Sequence, residues 1–155
     1  MPSCKMQPLG RVGLWPANGE RAKRLETILL VDDEPGVLRL CYQILNLDGY
    51  NVLRATSGED ALRQLQRNTA GLDLALLDVI MPGMNGIELA KRIQAIHPET
   101  PIILMTGYGP HEIARVVGDN NPYRIIWKPF KAESLRRMVE NVISSAAGAP
   151  SEPIS

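Results

Sequence analysis

The chain is expected to fold as an α/β domain: a doubly wound sheet of five parallel strands with helices on both faces. Two features of its 155 residues lead there. Short apolar runs alternate five times with amphipathic segments, and five βα units in a row imply parallel strands joined by helical crossovers. The runs are also continuous rather than alternating, ILLV at 28–31 being the clearest, as befits strands covered on both faces.

The elements follow in order. Ile28 to Val31 is the first strand, and Pro35 stands at a plausible first helical position. Val37, Leu40, Cys41 and Ile44 recur at helical spacing until Gly49 stops the pattern. Tyr50 to Ala55 reads as a second strand, and Glu59 to Arg67 as a helix capped by Ser57. Leu72 to Leu77 forms a third strand ending at Asp78. A helix from about Gly86 to His97 places Leu89, Ile93 and Ile96 on one face, and Pro98 ends it. Ile102 to Met105 is the fourth strand, His111 to Val117 a short helix closed by Gly118, and Arg124 to Trp127 the fifth strand. Leu135, Met138, Val139 and Val142 line a last helix. Residues 1–26, rich in Pro, Gly and basic side chains, are expected to be a flexible extension. The folded domain is placed at 27–144, and 145–155 has the composition of a flexible tail.

Bulk properties exclude several classes. Hydrophobic residues make up 45% of the chain, enough for a real core. Lys+Arg (17) balance Asp+Glu (17), so no overall positive field recruits nucleic acid or anionic membrane. Two cysteines, Cys4 and Cys41, do not make a disulfide-stapled scaffold, and Cys41 reads as a small core residue. No apolar run reaches the ~18–20 residues of a membrane helix, and the N-terminus lacks a secretory pattern. The cytoplasm is the expected location.

In such sheets ligands sit beyond the carboxyl ends of the strands, where strand order reverses. The residues there are Asp32 and Asp33 after strand one, Asp78 after strand three, Thr106 after strand four and Lys128 after strand five. Three crowded carboxylates repel, and one would take up a proton unless a cation neutralised them. A hard divalent ion, Mg²⁺ or Mn²⁺, suits that donor set. Asp33 and Asp78 are the expected direct ligands, with Asp32 acting through water and a loop carbonyl near Ile80 completing the set. Lys128 adds a point charge for a phosphoryl oxygen. No base stands against a Ser or Cys, so acyl hydrolysis fits poorly. In-line phosphoryl transfer to Asp78, where positioning and charge do most of the catalysis, fits well.

These residues, in the stretches ILLVDDEP (28–35), LLDVIMPGMNG (76–86), IILMTG (102–107) and WKPF (127–130), closely resemble the response-regulator receiver family of two-component signalling. The chemotaxis response regulator is its familiar single-domain member. The resemblance covers about 27–144 and implies a flavodoxin-like (βα)5 receiver fold. It implies further that Asp78 is the phosphorylated aspartate and Asp32 with Asp33 the acidic metal-binding pair. Thr106 then corresponds to the hydroxyl that moves to the phosphoryl group, Lys128 to the lysine that senses it, and Lys128–Pro129 to a cis bond. Expected partners are a sensor histidine kinase or histidine phosphotransfer protein, and a downstream effector on the face of helix 4, strand 5 and helix 5. Direct nucleic-acid or membrane binding is not expected, nor is enzymatic turnover.

Two departures from the family pattern stand out. Relatives usually carry Tyr or Phe three residues before the lysine, where this chain has Ile125; Trp127 or Tyr108 is the candidate substitute. Ile80 and Tyr108 flank the expected phosphoryl site, and an apolar Ile80 offers no hydrogen bond to attacking water, so slow self-dephosphorylation is expected. His111-Glu112 lacks the rest of a phosphodonor box, and His97 reads as a helix C-terminal residue. Arg21, Lys23 and Arg24 read as a solvated basic tail.

Three other readings compete. A receiver segment of a hybrid histidine kinase would look the same. An aspartyl-phosphate phosphohydrolase would carry an acid two residues after the nucleophile, where Ile80 stands. A dinucleotide-binding domain would need a G-x-G-x-x-G after strand one. Because the chain ends soon after its last helix, output is expected through a separate protein or a phosphorelay.

Overall fold

The computed structural model describes residues 25–68, 71–118 and 121–146. Five strands and five helices alternate: β1 (Thr27–Val31), α1 (Pro35–Leu47), β2 (Asn51–Ala55), α2 (Gly58–Arg67), β3 (Leu74–Asp78), α3 (Gly86–Ile96), β4 (Ile102–Thr106), α4 (Pro110–Val117), β5 (Arg124–Trp127) and α5 (Ala132–Ala146). The expected tails at 1–26 and 145–155 lie almost wholly outside the described residues, as does the basic cluster Arg21, Lys23 and Arg24.

All strand pairs are parallel, in the order β2-β1-β3-β4-β5. The doubly wound class expected from the sequence is thus present. The order reverses between β1 and β3, which opens a crevice at their carboxyl ends. Each continuous apolar run feeds both faces. Leu29, Val31, Ala75, Leu77 and Leu104 pack under α2, α3 and α4 with Leu65, Leu89, Ile93 and Ile113. Ile28, Leu30, Leu74, Leu76, Ile103 and Met105 pack under α1 and α5 with Cys41, Leu45, Leu135 and Val139. Fully burying a residue such as Leu76 is worth about 1.5–3 kcal/mol.

Local signals place the helix ends. Pro35 begins α1, where its missing N–H costs nothing. Ser57 accepts a 3.0 Å hydrogen bond from the Asp60 N–H, and Asn85 one of 2.8 Å from the Glu88 N–H. Gly118, at φ +90°, closes α4, and His97 caps α3.

Three expectations need correction. The third strand starts at Leu74, because its ladder to β1 begins at the Ile28–Leu74 pair, while the Asp73 side chain accepts the Thr27 N–H at 2.8 Å. Leu40 is 50% exposed although it shares the helical spacing of buried Cys41 and Ile44. Ile96, the last residue of α3, is likewise exposed, whereas Leu89 and Ile93 are buried.

Candidate functional site

Sheet topology brings the strand-end residues together. Asp32 follows β1 with its N–H donating to the Ala55 carbonyl at 3.2 Å, which fixes it to the β2 side of the crevice. Asp78 is the last residue of β3, and the next residue, Val79, donates to the Met105 carbonyl of β4 at 3.0 Å. Lys128 follows β5, and its own N–H donates to the Thr106 carbonyl at 2.7 Å. The backbone therefore places both the carboxylate and the ammonium before any side-chain contact is made.

The side chains then converge. Lys128 Nζ donates to Asp32 Oδ2 at 2.9 Å, to Asp78 Oδ1 at 3.2 Å and to Glu34 Oε1 at 3.4 Å. Oxygens of Asp32, Asp33 and Asp78 all lie within 4.8 Å of one another. Asp32 and Asp78 are buried, Asp33 exposed. An open cavity of about 400 Å³ sits over this group, lined by Asp33, Glu34, Asp78, Ile80, Thr106, Gly107, Tyr108 and Lys128. All five sequence-derived positions are thus in one place, with Ile80 and Tyr108 on the rim.

The electrostatics follow from crowding. Burial, together with the charges of Asp32 and Asp33, pushes the Asp78 carboxyl up to about 6 against the pull of Lys128. Burial also raises Asp32, although the Glu34 N–H (2.9 Å to Oδ1) and Lys128 stabilise its charged form. For Lys128, burial disfavours the ammonium, but the hydrogen bond and charge of Asp32 and the charge of Asp78 outweigh it and raise its pKa. One ammonium faces four acids, Asp32, Asp33, Glu34 and Asp78, and the surplus negative charge points into the cavity. A hard divalent cation fits that donor set, so the Asp32, Asp33 and Asp78 group is one that could hold a metal.

Thr106 Oγ1 accepts a 3.0 Å hydrogen bond from the Tyr108 N–H, which ties the hydroxyl to the loop entering α4. Thr106 and Trp127 are register partners in β4 and β5. Ile125 is half-buried and packs into the core beneath α4, whereas Trp127 is 40% exposed. The Lys128–Pro129 peptide is cis.

Two participants escaped the sequence reading. Glu34 was read only as part of the acidic stretch, yet its carboxylate reaches Lys128. Gly86 was read only as a helix start. A Cβ there would collide with the Asp78 carbonyl oxygen and lie 2.9 Å from the Val79 Cα. Its N–H donates to the Val79 carbonyl at 2.8 Å, so the missing side chain lets α3 close directly on the end of β3. A glycine in the loop following a candidate nucleophile is the available sequence signal for such an approach.

Comparison with known proteins agrees with this geometry. Residues 28–140 match the family model described as the response regulator receiver domain. The sporulation initiation phosphotransferase F of Bacillus subtilis is 33% identical over 118 residues, which cover 76% of this chain and 94% of that protein. The transcriptional regulatory protein GlrR of Escherichia coli is 33% identical over 125 residues, 81% of this chain but only 28% of the regulator's length. A receiver domain protein (CheY-like) of Methanospirillum hungatei superposes with a TM-score of 0.71 at 27% identity, covering 80% of this chain and 98% of that one. A five-stranded parallel sheet of this order, closed on an acidic crevice and matched by the family model over residues 28–140, establishes that the chain belongs to the response regulator receiver domain family of two-component systems.

Proposed function

We propose that Asp78 accepts a phosphoryl group from a phosphohistidine on a sensor kinase or phosphotransfer protein, and that the acyl phosphate so formed changes which partners bind. The observation that carries this reading is the Lys128 ammonium within hydrogen-bond reach of both Asp32 and Asp78, at the mouth of a cavity that also holds Thr106. Receiver domains as a family exchange phosphoryl groups with such donors and pass the result to effector domains.

In the transfer, an Asp78 carboxylate oxygen attacks phosphorus in line with the departing imidazole nitrogen. One O–P bond forms, the N–P bond breaks, and the imidazole leaves with the bonding pair. Asp78 must be ionised to attack, so whatever lowers its pKa from about 6 increases the reactive fraction near neutral pH. Asp32, Asp33 and Asp78, with a loop carbonyl at Ile80, would hold Mg²⁺ or Mn²⁺. Such an ion supplies charge neutralisation for the carboxylates and the phosphoryl oxygens. Lys128 stabilises the charge that develops on a phosphoryl oxygen. After transfer, Thr106 can donate its hydroxyl proton to another oxygen, and its loop partner Tyr108 carries that movement to the N-terminus of α4.

A hydrogen bond to a charged group is worth about 1.5–3 kcal/mol net, enough to shift a two-state loop equilibrium by one to two orders of magnitude. The face of α4, β5 and α5 is the proposed output surface. Ile80, exposed on the cavity rim two residues after Asp78, supplies no acid or base, which argues against turnover of phosphate esters. Incubation with acetyl phosphate and Mg²⁺ tests the reading. The intact mass should rise by one phosphoryl group in the wild type and not in Asp78→Asn. No increase in the wild type rejects it.

A further inference from the structure

Glu34 is the N-cap residue of α1, yet its carboxylate makes no capping hydrogen bond. Preceding Pro35, its backbone is confined to extended conformations, observed here as φ −90° and ψ 117°. Its N–H is spent on Asp32 Oδ1, and its carbonyl accepts the first helical hydrogen bond, from the Leu38 N–H at 3.0 Å. A negative charge is favoured beside a helix N-terminus. The Glu34 carboxylate turns instead across the crevice to Lys128, 94 positions away in sequence.

Lys128 Nζ has three N–H donors, and its three acceptors are Asp32, Asp78 and Glu34. A phosphoryl oxygen on Asp78 can gain a donor from Lys128 only if one of the three lets go. The Asp32 carboxylate is fully buried at 2.9 Å, and Asp78 carries the new group. Glu34 is the longest contact and its side chain is 63% exposed, so water can solvate it on release. From these contacts we infer that Glu34 is a releasable latch on Lys128: a positioning residue that holds the ammonium in the unmodified protein and competes with the phosphoryl group for it. The inference deepens the phosphoacceptor reading and, for its second arm, rests on it. The same carboxylate borders an apolar groove of Val37, Leu40, Pro129 and Phe130, so its release also changes the charge along the edge of α1.

The test compares wild type, Glu34→Gln and Glu34→Asp as full chains. Gln removes the charge; Asp keeps it but is one methylene too short for the contact. The first arm is solvent exchange of the Lys128 ammonium protons, followed by NMR on metal-free protein. Exchange should quicken about two- to fivefold in both variants, the scale of a half-exposed ion pair. The second arm is the rate of phosphorylation by acetyl phosphate with Mg²⁺, in which the phosphorus–oxygen bond to acetate breaks and acetate departs. This rate should rise by a similar factor in both variants. Unchanged exchange in Glu34→Gln overturns the latch, and so does an effect in Gln that Asp does not share, because mouth charge alone would then account for it. A wild type that takes no phosphoryl group would sink the phosphoacceptor reading, while the exchange arm would still decide whether Glu34 holds Lys128.

Discussion

Lys128 Nζ stands 3.2 Å from Asp78 Oδ1, across 50 residues of sequence, because β3 and β5 end at the same rim with β4 between them. The pair is not an isolated salt bridge. Burial and the neighbouring Asp32 charge raise the Asp78 carboxyl to about 6, and Lys128, which Asp32 and Glu34 also engage, offsets them only in part. A group held in this way is under electrostatic stress that a cation or a phosphoryl group redistributes.

That stress has a pH signature in metal-free protein. With its folded pKa near 6 and an ordinary value of 3.8, Asp78 binds more protons folded than unfolded between about pH 4 and 6. Its contribution to stability is therefore present below pH 4 and lost as pH rises through 6. The full shift corresponds to about 3 kcal/mol. Allowing for the lost contact to Lys128, Asp78→Asn should be more stable than wild type by about 1–2 kcal/mol at pH 7, and no more stable at pH 4. Urea denaturation at both values checks this; a variant less stable at pH 7 would contradict it.

Cation binding should relieve the same repulsion. At a hundred times its dissociation constant, Mg²⁺ should add about 2.7 kcal/mol to wild-type stability. Asp33→Asn, which removes a charge from the exposed side of the acid group proposed to hold the ion, should lose most of that gain. Thermal melts with and without Mg²⁺ measure it, and an equal rise in both proteins would speak against the site.

Gly86→Ala should be far more damaging than Gly58→Ala. At Gly86 the new methyl meets Asp78 and Val79 backbone, which cannot yield without moving the end of β3. At Gly58 it meets only the Met84 side chain: the thioether sulfur at 2.7 Å and Cγ at 3.1 Å can swing away, and Cβ at 3.0 Å needs a shift of a few tenths of an ångström. Overpacking costs about 1–3 kcal/mol, and Gly86 belongs at or above the top of that range with Gly58 near the bottom. Chemical denaturation of both variants decides it, and equal losses would show that α3 can shift freely.

The register pair Thr106 and Trp127 suggests how the switch manages without an aromatic at 125. Trp127→Ala should weaken the preference of an output partner for the phosphorylated chain by about three- to tenfold, within the range of one coupled contact. Affinity measured with and without the phosphoryl group tests this; an unchanged ratio would remove Trp127 from the path.

Much of this was legible in the sequence because it rests on local rules. The continuous runs at 28–31 and 102–105 read as doubly covered strands, Ser57 as a cap and Gly118 as a stop, and each is a matter of neighbouring residues. The strand-end acids and Lys128 followed from topology alone. What stayed hidden depends on distances through space. Nothing local says that Glu34 reaches 94 residues ahead, that Gly86 needs its bareness for Asp78, or that Leu40 is left uncovered beside buried Cys41.

The most direct measurement locates the phosphoryl group itself. Protein treated with acetyl phosphate and Mg²⁺ is reduced with borohydride, which converts an acyl-phosphorylated aspartate to homoserine, and is then mapped by peptide mass. Homoserine should appear at position 78 and nowhere else. Homoserine at position 32 or 33, or its absence from the whole chain, would contradict the assignment of Asp78 as the acceptor.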